Sequence, residues 1–293
     1  MKVIIWGCGE IGKRIYKPLI DYHNVKILAY TDSSVNKQGG SIYNVPLIFP
    51  EQICKFEYDY VLIAVYAFET IENIREKLLK LNVPAEKIRA VALEREFMDT
   101  CMDQRMFWIK DFAEWTYEQK LDGCVAECGV FRGDSAKYIN KFFPDRKLYL
   151  FDTFEGFKEK EIEYEIKLNN RSYNESIFTS KELFANTNIE LLMRKMEYPS
   201  NIEIRKGFFP ETAENVIASF VFVNLDMDLY LPMLAGLNFF WDKVVMGGCI
   251  LLHDFFHPSL PGVRKAVDDF EKERKIYIHK TTIGDNCSIA LIK

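Results

Sequence analysis

The chain has 293 residues, with 38 Lys plus Arg against 43 Asp plus Glu and a net charge of −5. At roughly 100–200 residues per domain, this length favours two domains. Mild acidity without a Lys/Arg block argues against nucleic-acid binding, and 23 Phe, 15 Tyr and 4 Trp argue against disorder.

The apolar run Lys2–Trp6 is too short for a signal-peptide core and makes a better strand. It passes into Gly7-Cys8-Gly9-Glu10-Ile11-Gly12 and a helical pattern to about residue 22. A second strand covers 25–30 and ends in Thr31-Asp32-Ser33-Ser34, and Gly39-Gly40 marks a turn. Residues 58–65 predict a strand, 69–81 a helix with Ile71, Ile74, Leu78 and Leu81 as its apolar positions, and 88–93 a last strand after Pro84. Alternating strands and helices imply a parallel sheet. From 94 to 120 the pattern is helical. Its aromatic face (Phe107, Trp108, Phe112, Trp115, Tyr117) packs the domain or meets a second copy, which leaves a homo-oligomer open. The domain boundary falls near 93–100, giving expected domains of 1–95 and 96–293.

The alternation then restarts. Cys124–Cys128 is a strand, Gly129-Val130-Phe131-Arg132-Gly133 turns into a helix over 135–143, and 147–152 is the next strand. The polar stretch 158–179 has weak periodicity and reads as a mobile loop or lid. A helix is expected over 181–196, strands over 202–206, 220–226 and 249–253, and helices over 232–245 and 263–275. Strands over 276–281 and 287–292 close the chain as a hairpin through Gly284-Asp285-Asn286. No segment approaches the ~20 apolar residues of a membrane helix. The seven Cys are scattered, mostly in apolar runs (Cys8, Cys54, Cys124, Cys128, Cys249). They read as reduced buried thiols, so the expected location is the cytoplasm.

The first glycine motif follows a strand and opens a helix, and Asp32 lies about 20 residues beyond Gly12, the context of a dinucleotide fingerprint. In that reading Gly7, Gly9, Glu10, Ile11 and Gly12 surround a pyrophosphate. Gly9 lets the backbone approach it, and Asp32 accepts from ribose hydroxyls. This half resembles small Rossmann-like nucleotide- or CoA-binding-type domains at the N-terminus of sugar-modifying bacterial proteins. Binding of NAD(P) or another nucleotide stays open, as does a structural module that keeps the glycines for its turn.

The second half carries a more specific pattern. Ala126-Glu127-Cys128-Gly129-Val130-Phe131-Arg132-Gly133-Asp134-Ser135-Ala136 is followed by Leu150-Phe151-Asp152-Thr153-Phe154-Glu155-Gly156-Phe157 and Lys206-Gly207-Phe208-Phe209-Pro210-Glu211-Thr212. Then come Asn224-Leu225-Asp226-Met227-Asp228-Leu229-Tyr230, Gly247-Gly248-Cys249 through His253-Asp254, and Gly262-Val263-Arg264-Lys265-Ala266-Val267-Asp268-Asp269-Phe270. Over about residues 100–293 these segments resemble the macrocin O-methyltransferase (TylF/MycF-like) family of class I S-adenosylmethionine-dependent sugar O-methyltransferases. The resemblance implies an α/β fold of two Rossmann-like domains, the second a class I methyltransferase sheet with a C-terminal antiparallel hairpin. It also implies S-adenosylmethionine, a sugar or nucleotide-sugar acceptor, and a divalent metal, Mg²⁺ first and Mn²⁺ second.

Elementary chemistry supports these positions. Ligands of open α/β sheets gather beyond the carboxyl ends of the strands, where Glu127, Asp152, Asp226 and Asp254 are expected. Gly129 and Gly133 allow a close turn under a cofactor, with Val130, Arg132 and Ser135 in the same loop. Asp152 accepts ribose hydroxyls or caps the turn at Thr153, and Glu127 contacts the cofactor or holds the turn. Lys206 and Gly207 end the strand where the adenine edge would lie; Phe208 and Phe209 there stack or belong to the core. Asp226 and Asp228 share a face of an extended chain, and two like charges so close need a cation, a proton or solvation. With Asp254 they suit Mg²⁺. The resemblance makes Asp226, a cofactor neighbour as well, and Asp254 metal ligands and Asp228 the base; otherwise Asp228 caps the next helix. The family has an acidic pair where this chain has His253-Asp254. His253 ligates, acts as base or orients Asp254, and a neutral imidazole prefers Mn²⁺, Fe²⁺ or Zn²⁺ to Mg²⁺. His257 is a weaker pocket candidate, and His23 and His279 read as ordinary surface or strand residues. The expected function is metal-assisted methyl transfer from S-adenosylmethionine to a sugar hydroxyl. The alternatives are an NAD(P)-binding nucleotide-sugar oxidoreductase or sensor working through the first domain, and a non-catalytic assembly partner.

Overall fold

The computed structural model describes residues 1–34, 40–94, 97, 102–169 and 187–293. The chain divides into two compact units, Met1–Met102 and Asp103–Lys293.

The first unit contains β1 (Lys2–Trp6), α1 (Glu10–Arg14), α2 (Tyr16–His23), β2 (Lys26–Thr31), β3 (Gly40–Ile42), β4 (Val45–Ile48), β5 (Tyr60–Ile63), α3 (Phe68–Lys80) and β6 (Ile88–Ala90). The sheet order is β3-β4-β2-β1-β5-β6, parallel except for β3 against β4. Strand β1 is central and buried on both faces, which is why Val3, Ile4 and Ile5 run apolar without alternation. Helix α3 buries one stripe, Phe68, Ile71, Ile74 and Leu78. The β3–β4 hairpin corrects the expected simple turn at Gly39-Gly40: Gly40 starts β3, and Gly39 lies outside the described residues. Pro46, which offers no N–H to a ladder, hides β4 as a strand. The last strand stops at Ala90 because the N–H groups of Leu93 and Glu94 turn back to the Ala90 carbonyl.

The second unit contains α4 (Gln104–Glu118), β7 (Cys124–Cys128), α5 (Ala136–Phe142), β8 (Leu148–Asp152), α6 (Glu159–Asn169), α7 (Ile189–Lys195), β9 (Ile202–Lys206), β10 (Phe220–Leu225), α8 (Tyr230–Phe240), β11 (Val244–Leu252), α9 (Pro261–Arg274), β12 (His279–Thr282) and β13 (Ile289–Ile292). The sheet order is β12-β13-β11-β10-β7-β8-β9. The chain leaves β7 for β8 and β9 on one side and returns to β10 and β11 on the other. The carboxyl ends of β7 and β10 therefore frame a topological switch point, where open α/β sheets bind ligands.

The expected closing hairpin forms at the end of the sheet, its antiparallel strand β13 lying between β11 and β12. Ile289, Ala290 and Leu291 are buried, whereas β12 reads His279-Lys280-Thr281-Thr282; the polar strand takes the edge, where an unpaired ladder meets water. The supposed loop from 158 is helix α6 as far as Asn169. Ile162 and Leu168 pack on the core and Glu165 is buried. Its remainder, 170–179, and the start of the helix expected over 181–196 lie outside the described residues.

No disulfide joins the described cysteines. Cys8, Cys128 and Cys249 are buried, while Cys54 is exposed, contrary to its expected burial. No helix among the described residues is long and apolar enough to cross a membrane.

Candidate active site

Three neighbouring strands end in register. Cys128 pairs with Leu225, and Leu225 with Leu252. The hydrogen-bond ladder runs one residue further: Asp226 N–H donates to the Cys128 carbonyl (2.8 Å), His253 N–H to Leu225 (2.9 Å) and Gly129 N–H to Phe151 (2.9 Å). Gly129, Asp226 and His253 thus stand side by side beyond β7, β10 and β11. Gly129 has a φ of 84°, and a Cβ there would lie 1.8 Å from the Asp226 carbonyl oxygen, so only glycine fits.

The glycine loop is held from below. Asp152 Oδ2 accepts the N–H groups of Val130 (2.6 Å) and Phe131 (2.7 Å), and Oδ1 accepts that of Phe154 (2.6 Å). It closes its own turn as well as tying the loop to β8. Thr153 Oγ1 donates to the Gly156 carbonyl at 2.7 Å. Glu127 is fully buried, and its Oε1 accepts from Ser135 Oγ (2.5 Å) and Asn224 Nδ2 (2.7 Å). Burial, reinforced by the nearby Asp226, pushes the Glu127 carboxyl up to about 8, although Ser135 and Asn224 pull the other way. Glu127 Oε2, Asn224 Oδ1 and Arg132 Nε are buried without a hydrogen-bond partner among the described residues.

Lys195 of α7 was not found from sequence, because a lysine ending a short charged helix carries no signal. It is buried, donating Nζ to the Arg132 carbonyl (2.9 Å) and to Asp134 Oδ1 (2.6 Å). A Cβ on Gly133 would meet Leu192 Cγ at 2.8 Å, so α7 packs directly on the loop. Gly207 N–H donates to the Asp152 carbonyl at 2.9 Å, while the Lys206 ammonium pairs with Glu155 at 2.8 Å on the surface. Phe209 is core, 5.5 Å from Phe151 between ring centres. Phe208 lies under Lys158 Nζ at 4.3 Å.

Oxygens of Asp226, Asp228 and Asp254 come within 4.8 Å of one another. Asp228 is not the cap of α8, whose N-cap is Leu229 and has no side-chain bond. The Leu229 N–H instead donates to the Met227 carbonyl (2.5 Å), a γ-turn about Asp228 with φ at 58°. Asp254 has a φ of 59°. Aspartate tolerates this left-handed region better than most residues. His253 Nδ1 lies 3.0 Å from both Asp226 Oδ1 and Asp254 Oδ2, in line with neither. Arg105 Nη1 donates to Asp226 Oδ2 at 2.8 Å, and Cys287 Sγ to Asp254 Oδ1 at 3.2 Å. Sequence reading missed both: Arg105 is 121 residues from its partner, and Cys287 reads as the start of a strand. His257 is exposed, its Nδ1 accepting the Ser259 N–H (3.3 Å) within a turn.

The charges sort themselves by neighbours. Burial raises the Asp226 carboxyl, but His253 and Arg105 outweigh it and hold Asp226 well below the usual carboxylate range. Burial, then Asp226 and Asp254, push Asp228 far up. Burial lowers His253, yet the Asp226 and Asp254 carboxylates beside it carry it up to about 12.

In the first unit two glycines are explained by packing. A Cβ on Gly7 would meet the Ala64 carbonyl at 2.9 Å, and one on Gly12 the Gly7 carbonyl at 1.9 Å; around Gly9 nothing lies within 4 Å. Asp32 Oδ2 accepts the Cys8 N–H (3.1 Å) and thiol (3.0 Å), and Oδ1 the Ser34 N–H (3.0 Å). Glu10 forms a surface ion pair with Arg14, and Ile11 packs on the core.

A family model described as Macrocin-O-methyltransferase (TylF) matches residues 51–290. The chain belongs to this family. It is an O-methyltransferase with an α/β fold of parallel-dominated sheets. The TylF match begins earlier than the collinear segments and takes in β5 and β6 of the first unit. A second model, described as C2185-like, N-terminal, matches residues 1–89. Among solved structures, the O-methyltransferase NovP is similar at 19% identity over 65% of this chain and 79% of that one, with a TM-score of 0.53; at that identity the likeness concerns the fold alone. The calicheamicin methyltransferase CalS11 shows 17% identity over 76% of this chain and 91% of its own, with a TM-score of 0.48. A comparison with curated protein sequences finds no match.

Proposed function

We propose that this TylF-family chain transfers a methyl group from S-adenosylmethionine to a sugar hydroxyl, with a divalent cation at the carboxylate cluster. One observation carries the reading: Gly129 touches Asp226, so a cofactor on the glycine loop and an acceptor at the cluster would be neighbours. The family match supports the reaction, and the segments that resemble sugar O-methyltransferases support the acceptor class.

The residues fit both groups. The buried unpaired atoms of Glu127, Asn224 and Arg132 fit a polar ligand against the loop that includes Gly129, Val130, Gly133 and Ser135. Asp152 and Thr153 border it, with Lys206 and Gly207 at the adenine side. The clustered carboxylates fit a hard cation, which Asp226 and Asp254 would hold with His253. S-adenosylmethionine supplies a methyl already activated on sulfonium, and the cation would acidify the acceptor hydroxyl. The chain's own residues do the rest. Fixing both reactants in line supplies roughly 7–11 kcal/mol. Asp228 takes the hydroxyl proton as the oxygen–carbon bond forms and the carbon–sulfur bond breaks. A bound cation would favour the ionised form of Asp228, and the neighbouring carboxylates that raise its affinity for protons make it a strong base there.

Asp228→Asn tests the assignment against a panel of glycosides and nucleotide sugars. Methyl transfer should fall about 10²–10⁴-fold, with S-adenosylmethionine affinity by calorimetry unchanged. Equal turnover would remove Asp228 as base, and a wild-type chain that does not bind S-adenosylmethionine would overturn the reading. A nucleotide such as NAD(P) in the first unit is a second reading, supported by the open side of Gly9; calorimetry with NAD(H) tests it.

A further inference from the structure

We infer that Cys287 is a ligand of the cation site, together with His253 and Asp254, and that this site prefers a transition-metal dication to Mg²⁺. The inference rests on the cation reading above and deepens it. One ligand atom from each of His253, Asp254 and Cys287 comes within 4.8 Å of the others, and Cys287 Sγ is 3.2 Å from Asp254 Oδ1.

The thiol is placed by construction. Asp285 Oδ1 accepts the N–H groups of Cys287 (3.0 Å) and Ser288 (2.8 Å), and Oδ2 the Ser288 hydroxyl (2.6 Å). The Cys287 carbonyl accepts the Phe256 N–H at 3.0 Å. These bonds lock the turn before β13 to the turn after β11, so the sulfur and the His253-Asp254 pair keep their spacing. His253 Nδ1 is a buried atom with no in-line hydrogen-bond partner among the described residues, as a ligand nitrogen would be.

The donor chemistry decides the metal class. Mg²⁺ demands hard oxygens in near-ideal octahedral geometry. An imidazole and a thiolate beside the Asp226 and Asp254 carboxylates form a mixed N, O, S set, which suits Zn²⁺, Fe²⁺ or Co²⁺ better than an all-oxygen set would. Binding forms a metal–sulfur bond and releases the thiol proton to solvent, with no change of oxidation state.

Cobalt(II) titration of the full chain tests this, because its spectrum reports its ligands. A Cys54→Ser, Cys101→Ser background removes an exposed thiol and one outside the described residues. A sulfur-to-cobalt charge-transfer band at one equivalent is expected, lost in Cys287→Ser while cobalt still binds. His253→Asp should move the preference toward Mg²⁺ by about tenfold or more in competition, and this second variant serves if Cys287→Ser does not fold. Identical spectra with and without Cys287 would reduce the thiol to a hydrogen-bond donor and overturn the inference while the cation reading stands. If neither cobalt nor Mg²⁺ binds the wild-type chain, the cation reading itself fails.

Discussion

Asp32 and Asp152 solve the same local problem in the two units. Each ends the second strand of its unit, and each accepts backbone N–H groups from the glycine loop after the first strand: Cys8 for Asp32, Val130 and Phe131 for Asp152. A loop that turns sharply leaves its N–H groups unpaired, and a nearby carboxylate satisfies them at charge-assisted strength. Glu127 is the opposite case, a carboxyl without a cation of its own. Its folded pKa, near 8, lies above its ordinary value of 4.5. The folded state therefore holds a proton that the unfolded state has lost, and stability falls as pH rises from about 4.5 toward 8, at about 1.4 kcal/mol per pH unit for one full proton. Glu127→Gln should flatten that decline in thermal-unfolding curves recorded between those pH values. A variant curve parallel to wild type would show Glu127 ionised in the fold. Asp226 and Asp228 were legible because their spacing is local and like charges need compensation. Arg105 and Cys287 were not, since the compensation arrives from α4 and from the turn before β13, and no spacing rule connects them.

Helix α6 shows how an element escapes the sequence. Glu159, Lys160, Glu161, Glu163 and Lys167 dilute its periodicity, and its one decisive residue is an acid. Glu165 Oε2 accepts the Tyr230 N–H (2.9 Å) and Oε1 the Gly262 N–H (3.1 Å), so a single buried carboxylate caps the first turns of α8 and α9. Replacing a capping acceptor costs roughly 0.5–2 kcal/mol, and a buried N–H left unpaired costs about 1–3 kcal/mol. Glu165→Ala should therefore destabilise the second unit by roughly 2–4 kcal/mol in urea unfolding. Gly262 sharpens the test. Alanine for glycine within a helix ordinarily stabilises by about 1 kcal/mol, but here a Cβ would come 2.2 Å from Glu165 Oε2. Gly262→Ala should destabilise the wild-type chain and stabilise the Glu165→Ala background. A double-mutant cycle without that sign reversal would show that Glu165 yields freely.

The presence of two sheets was legible at the level of the whole molecule, because two β–turn–α starts at Gly7 and Gly129 imply two α/β units. Where the units divide was less so, and the TylF match beginning at residue 51 now offers a boundary that competes with the physical one. Strand β5 pairs through Val61, Leu62 and Ile63 with Ile4, Ile5 and Trp6 of β1, so β5 and β6 complete the first sheet. Two of the buried clusters each lie within one unit: one draws on residues between Val3 and Phe97, the other on residues between Ala126 and Leu291. Every group of the candidate site, Arg105 and Cys287 included, lies beyond residue 102. A fragment of 103–293 should therefore fold and bind S-adenosylmethionine within about threefold of the full chain, since a unit of that length supports its own core. A fragment of 51–293 should fare worse. It would carry β5 with an unpaired edge and an apolar face stripped of β1, a surface that invites association. Size-exclusion profiles and dye binding to exposed apolar surface would separate the two. A well-behaved 51–293 beside an aggregating 103–293 would show that the second unit depends on β5 to β6 and would move the boundary to residue 51.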